Sequence, residues 1–370
     1  MKVDLITLHN VKNYGSALQT YASQKILQNL GYEVEVINYS RKDLLDENVL
    51  NTRIATSSIF SKNFFTKFIG KIFLKNSIKK QNKVFNSFLN ENINLTRKYS
   101  SYEELLENIP QADIYCTGSD QVWNSDWNKG IEKAFFLEFV PEGKKRISYA
   151  ASFGKNQLDK SEIDITREML QKYDHISVRE KSAKDIIENL GISNVTQVLD
   201  PTLLLDKNDW MELKTNIKYN KNRYILVYQL NTKNPEFDNY VKNLAKVKNM
   251  PIIRISNVLY QMFKYGDFDY CPSVNEFVTY FLNAEYIVTD SFHATAFSIN
   301  FNKKFLSIFP KKFSTRLQSI LELVGLEERR VVDYNDFSLI DREIDYDKVN
   351  KIIQLEREKS INYLKKALDS

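Results

Sequence analysis

Through residue 150 the chain alternates short apolar runs with helically spaced segments. Val3–Leu8 reads as a strand. Tyr14–Leu30 carries Ala17, Leu18, Tyr21, Ala22, Ile26, Leu27 and Leu30 on one helical face, and Gly31 supplies a C-cap. Glu33–Asn38 predicts the next strand, and Asp113–Thr117, Arg146–Ala151 and His175–Val178 predict three more. Helices are expected over Ser101–Asn108, Asp164–Tyr173 and Glu180–Leu190. Alternation of this kind implies a parallel sheet covered by helices on both faces.

The pattern then pauses. Val198–Thr202 reads as a strand end followed by a proline turn, and 206–222 is polar and weakly patterned, so the domain boundary is placed there. A second alternating set follows. Strands are expected at Tyr224–Leu230, Pro251–Ile255, Tyr286–Thr289 and Phe305–Phe309, with helices at Phe237–Lys248, Glu276–Leu282 and Phe292–Asn300. Tyr346–Leu368 reads as a long amphipathic helix. The expected fold is α/β: two Rossmann-like doubly wound domains, 1–205 and 206–345, with a cleft between them and a C-terminal helix over 346–370.

One segment departs from this alternation. Phe60–Val84 holds seven Lys and no acidic residue, with Lys67, Lys71, Lys75 and Lys79 at i, i+4 spacing. Phe64, Phe68 and Ile72 form one apolar row, and Phe65, Ile69 and Phe73 form another. A basic amphipathic helix suits an anionic membrane surface. The same pattern also fits a helix packed on the core with a solvated lysine face.

Composition narrows the function classes. The 370 residues are 43% hydrophobic and 27% charged, an ordinary globular balance for about two domains. The net charge of +5 is mild for a nucleic-acid binder, and no nucleic-acid partner is expected. Cys116 and Cys271 fit neither a disulfide framework nor a zinc spacing. His9, His175 and His293 form no paired motif, so no metal site is expected. No signal-peptide pattern precedes Val3 and no run is apolar enough to span a bilayer, so a cytoplasmic protein is expected, peripheral at the inner membrane face if the basic segment docks there.

Candidate chemistry was sought where doubly wound sheets bind ligands, beyond the carboxyl ends of the strands. Asn13-Tyr14-Gly15-Ser16 follows the first strand and opens a helix. It can receive an anion on backbone N–H groups, or it is a plain N-cap; it matches neither GxxxxGK[ST] nor GxGxxG. Ser119, Asp120, Gln121, Trp123 and Asn124 follow another strand. Asp and Gln can grip sugar hydroxyls and Trp can stack on a sugar face, but Gly118-Ser119-Asp120 is also turn chemistry and Trp123 also suits a core. Arg179 is placed to clamp a phosphate or carboxylate, or to form an ion pair with Glu180, Asp174 or Asp185. His293 stands beside Asp290, Ser291 and Thr295 at a helix start, and its titration range suits proton transfer near neutrality. His9 is similarly placed but lacks such surroundings, and His175, which opens a strand, reads as structural.

Taken in order, HNVKNYGSALQTYA, DIYCTGSDQVWN, ISYAASFG, SVREKSA, VLDPTLLL and TDSFHATAFSINFNKKF resemble the bacterial polysaccharide pyruvyl transferases over residues 1–310. The resemblance implies a GT-B-like fold. It implies transfer of a pyruvyl group from phosphoenolpyruvate to a sugar of a surface polysaccharide or its lipid-linked precursor, forming a ketal, with no cofactor. Its essential His maps onto His293 and a basic donor-binding residue onto Arg179. Some members carry Arg-Leu-His where this chain has Ser291-Phe292-His293, leaving part of the anion clamp to be supplied by Lys303, Lys304 or Arg254. Ala294 stands where many relatives have Gly. The expected roles are catalysis by His293, with Asp120 orienting or deprotonating the acceptor. Donor binding falls to Arg179, Asn13, Gly15, Ser16 and Ser291. Acceptor binding falls to Ser119, Gln121, Trp123 and Asn124. The competing readings are a GT-B glycosyltransferase using a nucleotide sugar and a non-catalytic glycan-binding assembly factor.

Overall fold

The computed structural model describes residues 1–44, 46–56, 64–231, 234–310 and 314–369. The first sheet contains β1 (Lys2–Ile6), β2 (Glu33–Tyr39), β3 (Leu95–Tyr99), β4 (Ile114–Thr117) and β5 (Lys145–Ser148), all parallel, in the order β3-β2-β1-β4-β5. A parallel pair, β6 (Ile176–Val178) and β7 (Val195–Gln197), extends it beyond β5 through bridges Ile147–His175 and Ala151–Val178. The second sheet repeats the pattern with β8 (Ile225–Tyr228), β9 (Ile252–Ser256), β10 (Asp267–Tyr270), β11 (Tyr286–Thr289) and β12 (Lys304–Ser307), in the order β10-β9-β8-β11-β12. Central strands such as β4 and β8 are buried throughout, which is why their sequences run apolar without alternating. Strand order reverses beside β1 and β8, placing a topological switch point in each sheet.

At the expected domain boundary two stretches differ from the sequence reading. Pro201 opens a short helix, Pro201–Leu204, in place of a turn: Asp200 caps it by accepting from the Thr202 N–H at 2.9 Å, and a proline at that position forfeits no helical bond. Within 206–222, Asp206 and Asp209 form a capping box on the helix Lys207–Met211, which seats the fully buried Trp210 edge-on to Phe297 at 4.9 Å. A weak hydrophobic period hides a five-residue helix anchored by its one buried residue, Trp210.

The two sheets share one apolar core across their seam. Tyr14 stacks on Phe277 at 4.4 Å and donates its hydroxyl to the Pro272 carbonyl at 2.7 Å. Such a ring pair contributes about 1 kcal/mol beyond its buried area. The helix Tyr346–Asp369 then crosses back to the first sheet. Leu364, Ala367 and Leu368 join its core, and the Ser360 hydroxyl accepts from the Leu199 N–H at 3.0 Å.

The basic segment lies within a helix of 29 residues, Phe64–Asn92; its first four positions, 60–63, lie outside the described residues. Phe85, Phe88 and Leu89 are buried in the core, whereas Phe68, Ile69 and Ile72 are exposed. The packed reading therefore holds for the second half of the helix and not for the first.

Asp4 lies at the centre of β1, fully buried, with neither carboxylate oxygen hydrogen-bonded among the described residues and Lys2 Nζ 3.6 Å away. Burial pushes its pKa up to about 7 despite Lys2. The folded state thus holds a proton that the unfolded chain releases near its ordinary value of 3.8. Stability falls as pH rises from about 4 to about 7, and the loss persists above that. Asp4→Asn removes this dependence. Relative to the parent, it gains about 2 kcal/mol between about pH 5 and about pH 8.5 in urea unfolding.

Candidate active site

The carboxyl ends of both sheets face a cavity of about 1140 Å³. Beyond β1, Asn13 caps the helix Tyr14–Asn29 by accepting from the Gly15 N–H at 2.8 Å, and both Asn13 and Ser16 line the cavity. Beyond β11, Ser291 caps the helix Phe292–Asn300 and turns the His293 ring across the seam. The ring comes to rest on Gly15: a Cβ built there would fall inside the imidazole. Glycine is required at this position by close approach from the other domain, not by backbone angle.

Buried charges converge beneath that ring. Arg179, at the end of β6, donates to Asp200 Oδ2 at 2.7 Å and lies 3.6 Å from both Asp120 Oδ1 and Glu180 Oε2. Asp120 is held at φ 76°, a left-handed conformation that Asp tolerates better than most residues. Its Oδ2 accepts from the Ser16 hydroxyl at 2.6 Å. Asp200 Oδ2 also accepts from Ser119 at 3.0 Å and stands 3.8 Å from His293 Nε2. A second guanidinium, Arg316, reaches in from the helix Thr315–Val324, with Nη1 3.9 Å from Asp120 Oδ1. The Gln121 carboxamide, with its oxygen turned toward it, accepts from Arg316 Nη2 at 2.7 Å. Arg179 lies 4.6 Å and Arg316 5.9 Å from the centre of the Phe292 ring.

The protonation states follow from burial and charge. Burial pulls His293 below its ordinary 6.5, outweighing Asp200 and Asp120, so the free imidazole is neutral at pH 7. Burial opposes ionisation of Asp200, but Arg179 and His293 hold it down to about 2. Asp120 is likewise held below the carboxylate range against burial, first by Arg179. Burial and then repulsion from Arg179 bring Arg316 down to about 10, so it stays charged. Among the described residues, His293 Nε2, Arg316 Nε, and Arg179 Nε and Nη2 have no hydrogen-bond partner. Buried donors left open in this way are what an anionic ligand would satisfy.

The polysaccharide pyruvyl transferase family model matches residues 13–308. The chain belongs to this family. No curated protein matches it in sequence. Among solved structures it is similar to the UDP-GlcNAc 2-epimerase of Methanocaldococcus jannaschii, with 12% identity over 96% of this chain and 92% of that one and a TM-score of 0.51. S. aureus MnaA in complex with UDP gives 13% identity over 100% and 97%, and a TM-score of 0.51. A UDP-N-acetylglucosamine 2-epimerase described as putative, from Listeria monocytogenes, gives 12% over 95% and 90%, and 0.50. At such identities the likeness shows the fold alone: the transferase has the two-domain GT-B architecture.

Measured against the sequence reading, the transferase brings His293, Asp120, Arg179, Gly15 and Ser16 into one cluster. Asn13, Gln121 and Ser291 line the cavity beside it. The other acceptor candidates lie elsewhere. Trp123 is core: its ring stacks on Phe136 at 5.5 Å and its N–H is spent on the Phe135 carbonyl at 3.0 Å. Asn124 is buried as the cap of a short helix, and Ser119 is buried against Asp200. The indole that lines the cavity is Trp127, 52% exposed, four residues later. Both oxygens of Asp120, which lines the cavity, are engaged: Oδ2 accepts from Ser16, and Oδ1 accepts from the Gln121 N–H at 2.9 Å and lies 3.6 Å from Arg179 and 3.9 Å from Arg316.

None of the three residues expected to complete an anion clamp reaches the cluster. Lys303 donates to the Leu282 and Ala284 carbonyls, Lys304 pairs with Glu343, and Arg254 donates to Gln229 and Gln261. The second cation that stands there is Arg316, from a helix that begins well past the end of β12.

Gly15→Ala tests the seam directly. The methyl group and the imidazole cannot share their present positions, so His293 is displaced while the helix keeps its cap. Turnover is expected to fall on the order of a hundredfold, with the thermal midpoint little changed. A variant of near-parental activity would show that the His293 position is not needed for the reaction.

Proposed function

We propose that this transferase moves the pyruvyl group of phosphoenolpyruvate onto two hydroxyls of one sugar, in a surface polysaccharide or its lipid-linked precursor, and releases phosphate. The observation that carries the reading is the pair of guanidiniums, Arg179 and Arg316, flanking Phe292 beside a neutral His293, with open donors on all three side chains. Phosphoenolpyruvate carries a carboxylate and a phosphate, and each suits a guanidinium. Trp127 offers an exposed ring face to the acceptor sugar.

The chemistry then runs on charge. The donor's negative charges, brought against His293, raise its proton affinity, offsetting the burial that keeps it neutral in the free protein. The imidazolium protonates the methylene carbon of phosphoenolpyruvate, placing positive charge on the neighbouring carbon. A sugar hydroxyl adds to that carbon and gives its proton to the imidazole. The phosphate bond breaks, and phosphate leaves with its electron pair. The second hydroxyl adds to the resulting oxocarbenium, closing the ketal. Its proton goes to the departing phosphate. One proton is taken up at carbon and two leave the hydroxyls, which balances phosphoenolpyruvate plus diol against ketal plus hydrogen phosphate.

The test is acceptor-dependent phosphate release from phosphoenolpyruvate, across a panel of galactosides, mannosides and N-acetylhexosaminides. Release is expected with one acceptor class. His293→Ala should lower kcat by roughly a thousandfold. Arg316→Met should raise KM for phosphoenolpyruvate by about tenfold or more, with Arg316→Lys intermediate. Thermal protection by a nucleoside diphosphate and none by phosphoenolpyruvate would overturn the donor assignment and favour a nucleotide-sugar enzyme.

A further inference from the structure

Exposed apolar side chains stand on the first half of the helix Phe64–Asn92 and on a loop of the second domain. Phe68, Ile69 and Ile72 stand on the face of this helix opposite the buried Ser77, Ile78 and Gln81, and Phe68 is 56% exposed. Beside them run the exposed ammonium groups of Lys67, Lys71, Lys75 and Lys79, one per turn. The second patch is the loop from β9 to β10, where Tyr260, Met262 and Phe263 point outward, Phe263 at 80% exposure. Hydrophobic patterning did not mark this loop, because its apolar residues serve no core.

Contacts across the seam tie this helix to the loop. Gln81 of the helix donates to the Asn257 carbonyl at 2.7 Å, just before the loop begins, and Ser77 meets the Tyr270 hydroxyl on β10 at 2.5 Å. The Asn257 amide returns to the Lys12 carbonyl at 2.5 Å, in the loop that leads to the cavity residue Asn13. The helix and the loop are therefore joined across both domains, and Asn257 reaches the segment that leads to the cavity.

We propose that these two patches form one flank that lies on the surface of an anionic lipid bilayer. Apolar side chains this exposed, on two elements, would be costly to leave in water. The lysine row supplies attraction to phosphate headgroups, and no acidic residue occurs from Phe60 to Val84 to oppose it. Among the described residues no helix is long and apolar enough to cross a membrane, so contact of this kind is interfacial. The placement would hold the cavity rim beside the bilayer, where a lipid-linked acceptor presents its sugars. Docking itself does not depend on which donor the enzyme uses.

The experiment is co-sedimentation of the full chain with vesicles of phosphatidylcholine alone and of phosphatidylcholine with phosphatidylglycerol. Binding is expected only to the anionic vesicles and should weaken as salt rises. The charge variant Lys67→Glu/Lys71→Glu/Lys75→Glu should weaken it about a hundredfold. The loop variant Met262→Ser/Phe263→Ser should weaken it while preserving the thermal midpoint, since those side chains are exposed. Absence of anionic-vesicle binding by the parent, or binding equal in all variants, would overturn the proposal. So would a dimer in solution that Phe68→Ser/Ile72→Ser returns to monomer without any vesicle binding, which would assign the flank to a second copy. Phosphate release on a soluble acceptor, measured alongside, reports separately on the donor reading.

Discussion

Arg179 is a charge taken out of water, and the site is arranged around what that demands. An isolated buried guanidinium is untenable; it has to meet opposite charge within a few ångströms. Here Asp200, Asp120 and Glu180 surround it, supplied by the strand ends and turns of the first domain. Each carboxylate is in turn fixed by something else. Asp200 caps the helix Pro201–Leu204 and receives Ser119, and Asp120 receives Ser16. Moving any one strand end would leave a buried charge unmatched. The electrostatic requirement thus sets the relative heights of β4, β6 and the connection after β7.

The second domain completes this arrangement with a ring and a cation. Phe292 covers Arg179, and His293 reaches Asp200 across the seam while resting on Gly15. Arg316 adds a second positive charge without a carboxylate of its own at hydrogen-bond distance. Neither domain alone holds a complete set. The Tyr14–Phe277 stack lies one residue from the point where His293 touches Gly15, so the contact that joins the domains also sets the position of the His293 ring.

Much of this was legible in the residues. Strand-end placement found Asp120, Arg179 and His293, because parallel sheets expose their carboxyl ends and the polar residues stood just past apolar runs. What pattern cannot supply is partnership between distant segments. That Gly15 exists to admit His293 depends on how two domains meet, which leaves no trace in local periodicity. Trp123 and Trp127 are equally aromatic and four residues apart; only packing against Phe136 and Phe153 decides which one is core. Strand β3, LTRKY, is half polar because it edges the sheet, and β10, DFDY, alternates with acids, so neither reads as a buried strand. Arg316 was missed because its helix was not anticipated: Arg179 directly follows β6, whereas Arg316 stands well beyond β12, in the first turn of the helix Thr315–Val324.

The returning helix Tyr346–Asp369 carries a consequence for how the molecule holds together. Leu364, Ala367 and Leu368 are part of the interior that Cys116 and Tyr149 line, beside strands made early in synthesis. Tyr363 bonds the Ser148 carbonyl at the end of β5. The interior of the first sheet is therefore closed by side chains drawn from far along the chain, and a cut in the connection from the second sheet to this helix would uncover the core of the first.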